Sequence, residues 1–317
     1  MWYVKQLEYE FANNYALIKT NKLKYMVFFP PTIKSGPKLL KERLSLRKVF
    51  FRKISFFISI NKEFSPSFDL NNFYQNINTA RFITFSDEDA KKNGSFGLYY
   101  NGDNIIKTIQ SEDHSTIYHE LYHLSSSYIA KDGTVFTGFS QAPNLKTPQI
   151  ARGINEGYTA LITNRNFGND YSFPVERYFM GMIEDIIGRE MLEGLYSKMN
   201  LLGLIEEVNI KGIGEEFINC LFALDNIQIN NPYLITNLQT AYLNIALILV
   251  NLMKEKINYG LIGPQMAELS INNQMSILNN IIYNSYTPSI SNAVLSNQFL
   301  TKVKNQIWSN IYFIKVQ

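Results

Sequence analysis

The segment that most constrains this chain is STIYHELYHL, Ser115–Leu124, because it holds two of the three histidines in the sequence. His119 and His123 are four residues apart, and Glu120 follows the first of them. On an α-helix such residues lie about 40° apart around the axis and one turn apart along it, so both imidazoles can point at one ion. Glu120 is turned by about 100° and can lean over the open side. Neutral imidazoles suit zinc, so the segment predicts a zinc-binding helix; the alternative is a polar helix with two exposed histidines.

A zinc site needs a third protein ligand, and the sequence offers few candidates. The remaining histidine, His114, would lie about 140° from His119 on the same helix and could not join it. Downstream, Asp132 precedes a glycine and indicates a turn, so Glu156 is the next candidate. A His/His/Glu set leaves one position open for water, as in catalytic zinc sites. The alternative for Glu156 is a carboxylate stabilised by the N-terminal end of its own helix.

Hydrophobic patterning places this motif between a small sheet and a helical half. Arg81–Ser86 predicts a buried strand, and Gly97–Ile109 predicts a hairpin closed by a type I′ turn at Asn101-Gly102. A helix is expected from near Glu112, with Ser111 as its N-cap, through the motif to Ile129. A second helix is expected after a break at Gly153. The remaining predicted helices cover 38–58, 174–200, 213–225, 233–257, 265–284 and 290–310.

The composition fits one large domain with two lobes, or two domains, because 46% of the 317 residues are hydrophobic. The longest apolar run, Ile245–Met253, is too short to cross a bilayer and predicts a core helix. We expect no transmembrane segment and no signal peptide, and Cys220 is the single cysteine. A cytoplasmic protein is the default expectation, with export by an unrecognised route left open.

Positive charge is concentrated between Thr32 and Lys53, a stretch with eight lysines and arginines and a single glutamate. The whole chain has a net charge of only +3. Such a stretch is expected either to contact an anionic surface or acidic partner, or simply to be a solvated helix face. No nucleic-acid-binding motif accompanies it, so no nucleic-acid partner is expected.

The sequences HELYH and NEGY together resemble the gluzincin group of zincin metallopeptidases, in which one helix carries HExxH and a later helix supplies a glutamate. The hairpin around Asn101-Gly102 is similar to the strands before the active helix in thermolysin-like members. The resemblance covers roughly residues 80–200. It implies an α+β, zincin-like fold with a small N-terminal β-sheet lobe that carries the active-site helix, followed by a mainly α-helical C-terminal lobe. The expected division is an N-terminal segment 1–75, a catalytic core 76–165 and a helical lobe 166–317.

The resemblance also implies an activity, the hydrolysis of peptide bonds in a peptide or protein substrate. One Zn²⁺ ion is expected on His119, His123 and Glu156, with Glu120 as the general base. The extended substrate is expected to pair with the edge strand at the substrate-binding residues Gly97, Leu98 and Tyr99.

A second group that stabilises the oxyanion is also expected, and no histidine remains downstream to supply it. The candidates are Tyr158, Tyr171, Arg177 and, as the selected catalytic residue, Tyr178.

The chain departs from the family pattern at two positions. Ser125 replaces the usual hydrophobic residue two positions after the second histidine, and Ala160 stands where many gluzincins have an acid that supports the first histidine. The partner of His119 is therefore expected elsewhere. The same departures leave open a zinc-bound but catalytically inactive interaction protein of zincin fold, although such a protein has no use for Glu120.

Overall fold

Helices form most of this molecule, and two three-stranded sheets lie in its first half. The structure is a computed structural model that describes residues 37–86, 88, 97–109, 115–227 and 233–312, with only the backbone described at 37–49, 85, 308 and 310–312. In chain order its elements are α1 Pro37–Phe64, α2 Asn71–Asn76, β1 Arg81–Phe85, β2 Gly97–Tyr100, β3 Ile105–Ile109, α3 Thr116–Ser125, β4 Ser127–Ile129, β5 Val135–Thr137, β6 Ser140–Ala142, α4 Arg152–Phe167, α5 Pro174–Ile187, α6 Arg189–Ser197, α7 Leu201–Ile210, α8 Gly214–Ile227, α9 Leu234–Asn258, α10 Pro264–Ser285, α11 Pro288–Val294 and α12 Asn297–Tyr312. The expected α+β class is confirmed.

The first sheet has the order β1-β3-β2, with β1 parallel and β2 antiparallel to β3. The predicted hairpin is confirmed, but the type I′ turn is wrong. Four residues, 101–104, join Tyr100 to its partner Ile105, and the left-handed residue among them is Asn104, at φ 50°. The Asn101 side chain explains the longer loop, because its amide donates to Phe136 O and Thr137 Oγ1 of the second sheet.

The HExxH helix α3 ends at Ser125, so the prediction that it continues to Ile129 is wrong. Serine hydroxyls satisfy the carbonyls of its last turns, since Ser126 Oγ donates to Tyr122 O and Ser127 Oγ to His123 O. The chain then turns into strand β4. The described part of the helix begins at Thr116, and the expected start with Ser111 as N-cap lies outside the described residues.

Helix α4 begins at Arg152, so Gly153 lies in its first turn and the break predicted there is wrong. Gly153 is needed for close packing instead. A Cβ atom there would lie 2.7 Å from the backbone C of Leu224 in α8. The helix therefore touches its neighbour backbone to backbone.

The N-terminal helix α1 packs on the HExxH helix, so the described part of the segment 1–75 adjoins the predicted core. The ring of Phe57 contacts those of Phe73 and Tyr122 at centroid distances of 5.1 and 4.8 Å. Residues 32–36 of the basic stretch lie outside the described residues, and within that stretch side chains are described only from Phe50 onward. The surface role expected for 32–53 therefore stays a prediction.

The C-terminal half is helical, as predicted, but with different breaks. Gly188, at φ 93°, separates α5 from α6 within the predicted helix 174–200, and α7 was not predicted. Among the described residues, α9 is the helix long and apolar enough to be a candidate membrane span, and half of its most apolar window is buried. Its Ile245 and Ile248 are fully buried, as expected for the core helix predicted from Ile245–Met253.

Candidate metal centre

The three predicted metal ligands lie together in the structure. His119 and His123 occupy successive turns of α3, are 7% and 6% exposed, and have ring centroids 4.8 Å apart. Helix α4 brings Glu156 to them, with Oε2 at 3.2 Å from His119 Nε2 and 3.1 Å from His123 Nε2. One carboxylate oxygen therefore faces both imidazole nitrogens that the helix presents.

This geometry fits a zinc ion held by all three side chains. Two ligand atoms bound tetrahedrally at about 2.0–2.1 Å from zinc are about 3.3 Å apart, close to both nitrogen–oxygen distances observed here. The three ligand atoms lie within 4.8 Å of one another. Two imidazole nitrogens and one carboxylate oxygen are a typical donor set for a catalytic zinc site.

The partner of His119 is Asp170, which follows helix α4. Its Oδ2 lies 2.8 Å from His119 Nδ1, and both residues are buried. The carboxylate is itself held, because the backbone N–H and the hydroxyl of Ser172 both donate to Oδ1. Asp170 thus gives His119 the carboxylate partner that was expected elsewhere than at position 160, where Ala160 is fully buried.

Asp170 was not predicted from the sequence, because a supporting acid was expected one turn after Glu156. Asp170 reaches His119 from a loop in which Gly168, Asn169 and Phe173 have left-handed backbones, at φ 72°, 58° and 49°. The available signal was the sequence Gly168-Asn169-Asp170, a helix stop followed by an acid near the end of the ligand-bearing helix.

The surrounding charges set the protonation of the ligands in the metal-free protein. Burial lowers the pKa of His119, but hydrogen bonds to Asp170 and Glu156 outweigh it and raise that pKa to about 10. Burial opposes ionisation of Glu156 too, yet the charge of His123 and the hydrogen bonds from both histidines hold its pKa well below the ordinary value. In the metal-free protein these contacts favour the protonated form of His119 and the ionised form of Glu156, so zinc binding is expected to displace a proton.

Glu120 lies beside the ligands and against the end of strand β2. Its side chain is buried, and burial raises its pKa to about 7 against the lowering effect of the two histidines. A Cβ atom at Gly97 would lie 2.7 Å from Glu120 Oε1, and closer still to Thr116 Cγ2. Glycine at this position therefore lets the strand pass directly over the carboxylate.

Among the residues that the structure describes, strand β2 stands last in its sheet, and its binding of a substrate stays a prediction. Its residues alternate: Gly97 is buried and Tyr99 partly buried, while Leu98 and Tyr100 are 36% and 42% exposed. The hydroxyl of Tyr99 donates to Asn104 Oδ1 at 3.1 Å. The strand therefore lies along the site, with Gly97 at the carboxylate of Glu120.

The candidates for the oxyanion group lie in different surroundings. The hydroxyl of Tyr178 donates to the backbone and side-chain oxygens of Gln274 in α10, and burial raises the pKa of Tyr178 to about 12. Tyr158 is fully buried and donates to Glu184 Oε2. Arg177 donates to Asp170 O and lies over the exposed ring of Tyr171. Of these candidates, Arg177 is therefore the one joined to the site by a hydrogen bond, through Asp170.

His114, which is expected not to join the site if it belongs to the same helix, lies outside the described residues. Comparison with known proteins adds no relative: no protein-family model, no curated protein and no solved structure matches this chain.

Proposed function

We propose that this protein is a zinc-dependent metallopeptidase with a zincin-type catalytic core. The observation that carries the proposal is the grouping of His119, His123 and Glu156 around one position, with the buried carboxyl of Glu120 beside them. A purely structural zinc site has four protein ligands and no use for a neighbouring base. Three ligands plus a base favour hydrolysis.

The roles follow from the chemistry of each group. His119, His123 and Glu156 would hold the ion, which when bound lowers the pKa of a water molecule and polarises a carbonyl group. Glu120 accepts the proton of the attacking water and returns it to the leaving amine. In the metal-free protein burial raises the pKa of this carboxyl to about 7, against its ordinary acidic value, and a raised pKa favours a group that both accepts and returns a proton.

Strand β2 supports a peptide as the substrate. A chain in extended conformation can add to the edge of the sheet through main-chain hydrogen bonds, with specificity set by alternate side chains. Such a chain would pass Glu120 at Gly97, because the missing side chain leaves the strand against the carboxylate. The scissile bond is therefore proposed to lie beside Gly97.

A proteome-wide cleavage screen tests this function, because it samples many target sequences at once. We expect the wild-type protein to contain one zinc ion and to produce new peptide termini, while Glu120→Gln binds zinc and cleaves at least about 100-fold more slowly. Glu190→Gln, an exposed glutamate in α6, is the matched control and should behave as wild type. Equal cleavage by zinc-loaded Glu120→Gln would sink the peptidase mechanism, and zinc binding without cleavage by the wild type would favour the inactive interaction protein.

A further inference from the structure

The N-terminal end of the ligand-bearing helix α4 is capped from a distant part of the chain. The first backbone N–H groups of any α-helix have no partner inside the helix. The residue before α4 is Ala151, whose methyl group cannot accept a hydrogen bond from these N–H groups. Its backbone is left-handed, at φ 59°. Asp225 of α8 supplies the acceptors instead, with Oδ2 at 2.7 Å from Ala151 N and Oδ1 at 2.7 Å from Gly153 N.

This cap holds the helix in both position and direction. Two separate oxygens on two N–H groups fix the orientation of the first turn, and a carboxylate is favourable at the positive end of the helix dipole. Gly153 also lies directly on the backbone of Leu224, the residue before Asp225, so the start of α4 is in close contact with α8 beside the cap.

Glu156 lies one turn beyond this cap. Three residues of α-helix advance about 4.5 Å along the axis, so a tilt of the first turn is passed on to the Glu156 backbone almost undiminished. On the other side, Gly157 packs on α5, where a Cβ atom would lie 2.5 Å from the backbone oxygen of Glu176. The metal-ligand residue is therefore bracketed by two close helix contacts, and Asp225 makes the polar part of one of them.

We propose that Asp225 is a positioning residue for the metal ligand Glu156, so that the helical lobe sets the geometry of the site. This inference rests on the metal site of the proposed function, but not on its peptidase activity. Asp225 bonds to the backbone at the start of α4 rather than to a ligand side chain, so it acts through the first turn of that helix.

The test measures metal binding rather than catalysis. Zinc affinity is determined by competition with a chelator, and the visible absorption of the Co²⁺-substituted protein reports the ligand geometry. We expect Asp225→Ala to weaken zinc binding about tenfold and to change the Co²⁺ spectrum towards that of Glu156→Ala. Asp225→Asn, which keeps one acceptor oxygen, should lose about threefold and retain most of the wild-type spectrum.

Two comparisons separate positioning from general destabilisation. In a Glu156→Ala background, Asp225→Ala should cause no further loss of zinc affinity, because the residue it positions is gone. Asn251→Ala removes a different hydrogen bond of α8, to Glu216, and should leave the Co²⁺ spectrum unchanged.

The proposal is overturned by an equal loss of affinity in both backgrounds, or by a lower melting temperature with an unchanged spectrum. Failure of the wild type to bind zinc overturns both this inference and the proposed function. Zinc binding by the wild type without peptide cleavage overturns the proposed peptidase activity and leaves the positioning role of Asp225 to be decided by the zinc affinities and Co²⁺ spectra.

Discussion

The two histidines of helix α3 present the same nitrogen to Glu156 but differ at their other nitrogen. His119 Nδ1 lies 2.8 Å from the carboxylate of Asp170. His123 Nδ1 is buried and, among the described residues, has no hydrogen-bond partner. A carboxylate at Nδ1 fixes the proton there, orients the ring and leaves Nε2 free for a metal. The imidazole ring of His119 is thus oriented by a charged partner, whereas the ring of His123 is oriented by packing and by its position on the helix.

This contrast predicts that substitutions on the two sides have unequal effects, and the largest is expected at Asp170. Asp170→Ala should weaken zinc binding about 10- to 100-fold, because His119 loses the group that orients its ring and raises its basicity. Asp170→Asn should lose less, since its amide oxygen can still accept from Nδ1–H. Zinc affinity measured by chelator competition checks both variants, with Asp185→Ala, which changes an exposed aspartate of α5, as the control that leaves Asp170 and its partners in place. Zinc affinity equal to that of the wild type in Asp170→Ala would contradict the idea that His119, unlike His123, depends on a charged partner.

The pH dependence of zinc binding should show an intermediate effect. Since the pKa of His119 in the metal-free protein is raised to about 10, the ring is protonated below that pH and zinc must displace the proton. Raising the pH therefore tightens binding, by about tenfold per pH unit for one displaced proton between pH 7 and 8. In Asp170→Asn the acceptor of the main hydrogen bond that raises the His119 pKa is no longer charged. Zinc affinity should therefore rise less steeply with pH in this variant.

Isothermal titration calorimetry in PIPES and in HEPES, which coordinate zinc only weakly, measures the released protons, because the two buffers differ in ionisation enthalpy. We expect about one proton for the wild type and fewer for Asp170→Asn. Identical proton release in the two proteins would show that Asp170 does not control His119.

The smallest effect is expected on the His123 side, at Ser127. Its hydroxyl donates to the backbone oxygen of His123 at 2.6 Å and does not contact the ring nitrogen. Ser127→Ala should lower the free energy of unfolding by about 1 kcal/mol, seen as a lower melting temperature, and change zinc affinity less than twofold. A loss as large as that of Asp170→Ala would mean that the last turn of the helix, rather than charge, decides the geometry at the metal.

The sequence predicts the ligand set because every step in that inference is local. Helix geometry relates His119 to His123, and the scarcity of other histidines and acids leads to Glu156. Asp170 and Asp225 could not be found in the same way. Asp170 comes back to the site only through a loop of left-handed residues, and Asp225 meets the start of α4 only when two helices pack. Local rules state which residues share a helix face, but not which loops and helices meet in space.

The errors in the predicted elements have the same origin. The hydrophobic pattern predicted that α3 continues to Ile129, because the pattern does not show that the hydroxyls of Ser126 and Ser127 donate to carbonyl groups of the helix. The prediction of a type I′ turn is wrong because the side chain of Asn101 donates a hydrogen bond to Phe136 O in the second sheet. In both cases a polar side chain found a partner that the periodicity of apolar residues does not encode.

The two glycines that flank Glu156 have a consequence for how this site can be lost in evolution. Gly153 and Gly157 each leave room for the backbone of a neighbouring helix. Adding one methyl group at either position would push α4 away from α8 or α5 while leaving His119, Glu120, His123 and Glu156 in the sequence. A descendant of this chain could therefore keep HELYH and NE intact and lose the grouping of side chains from which the metal site is proposed.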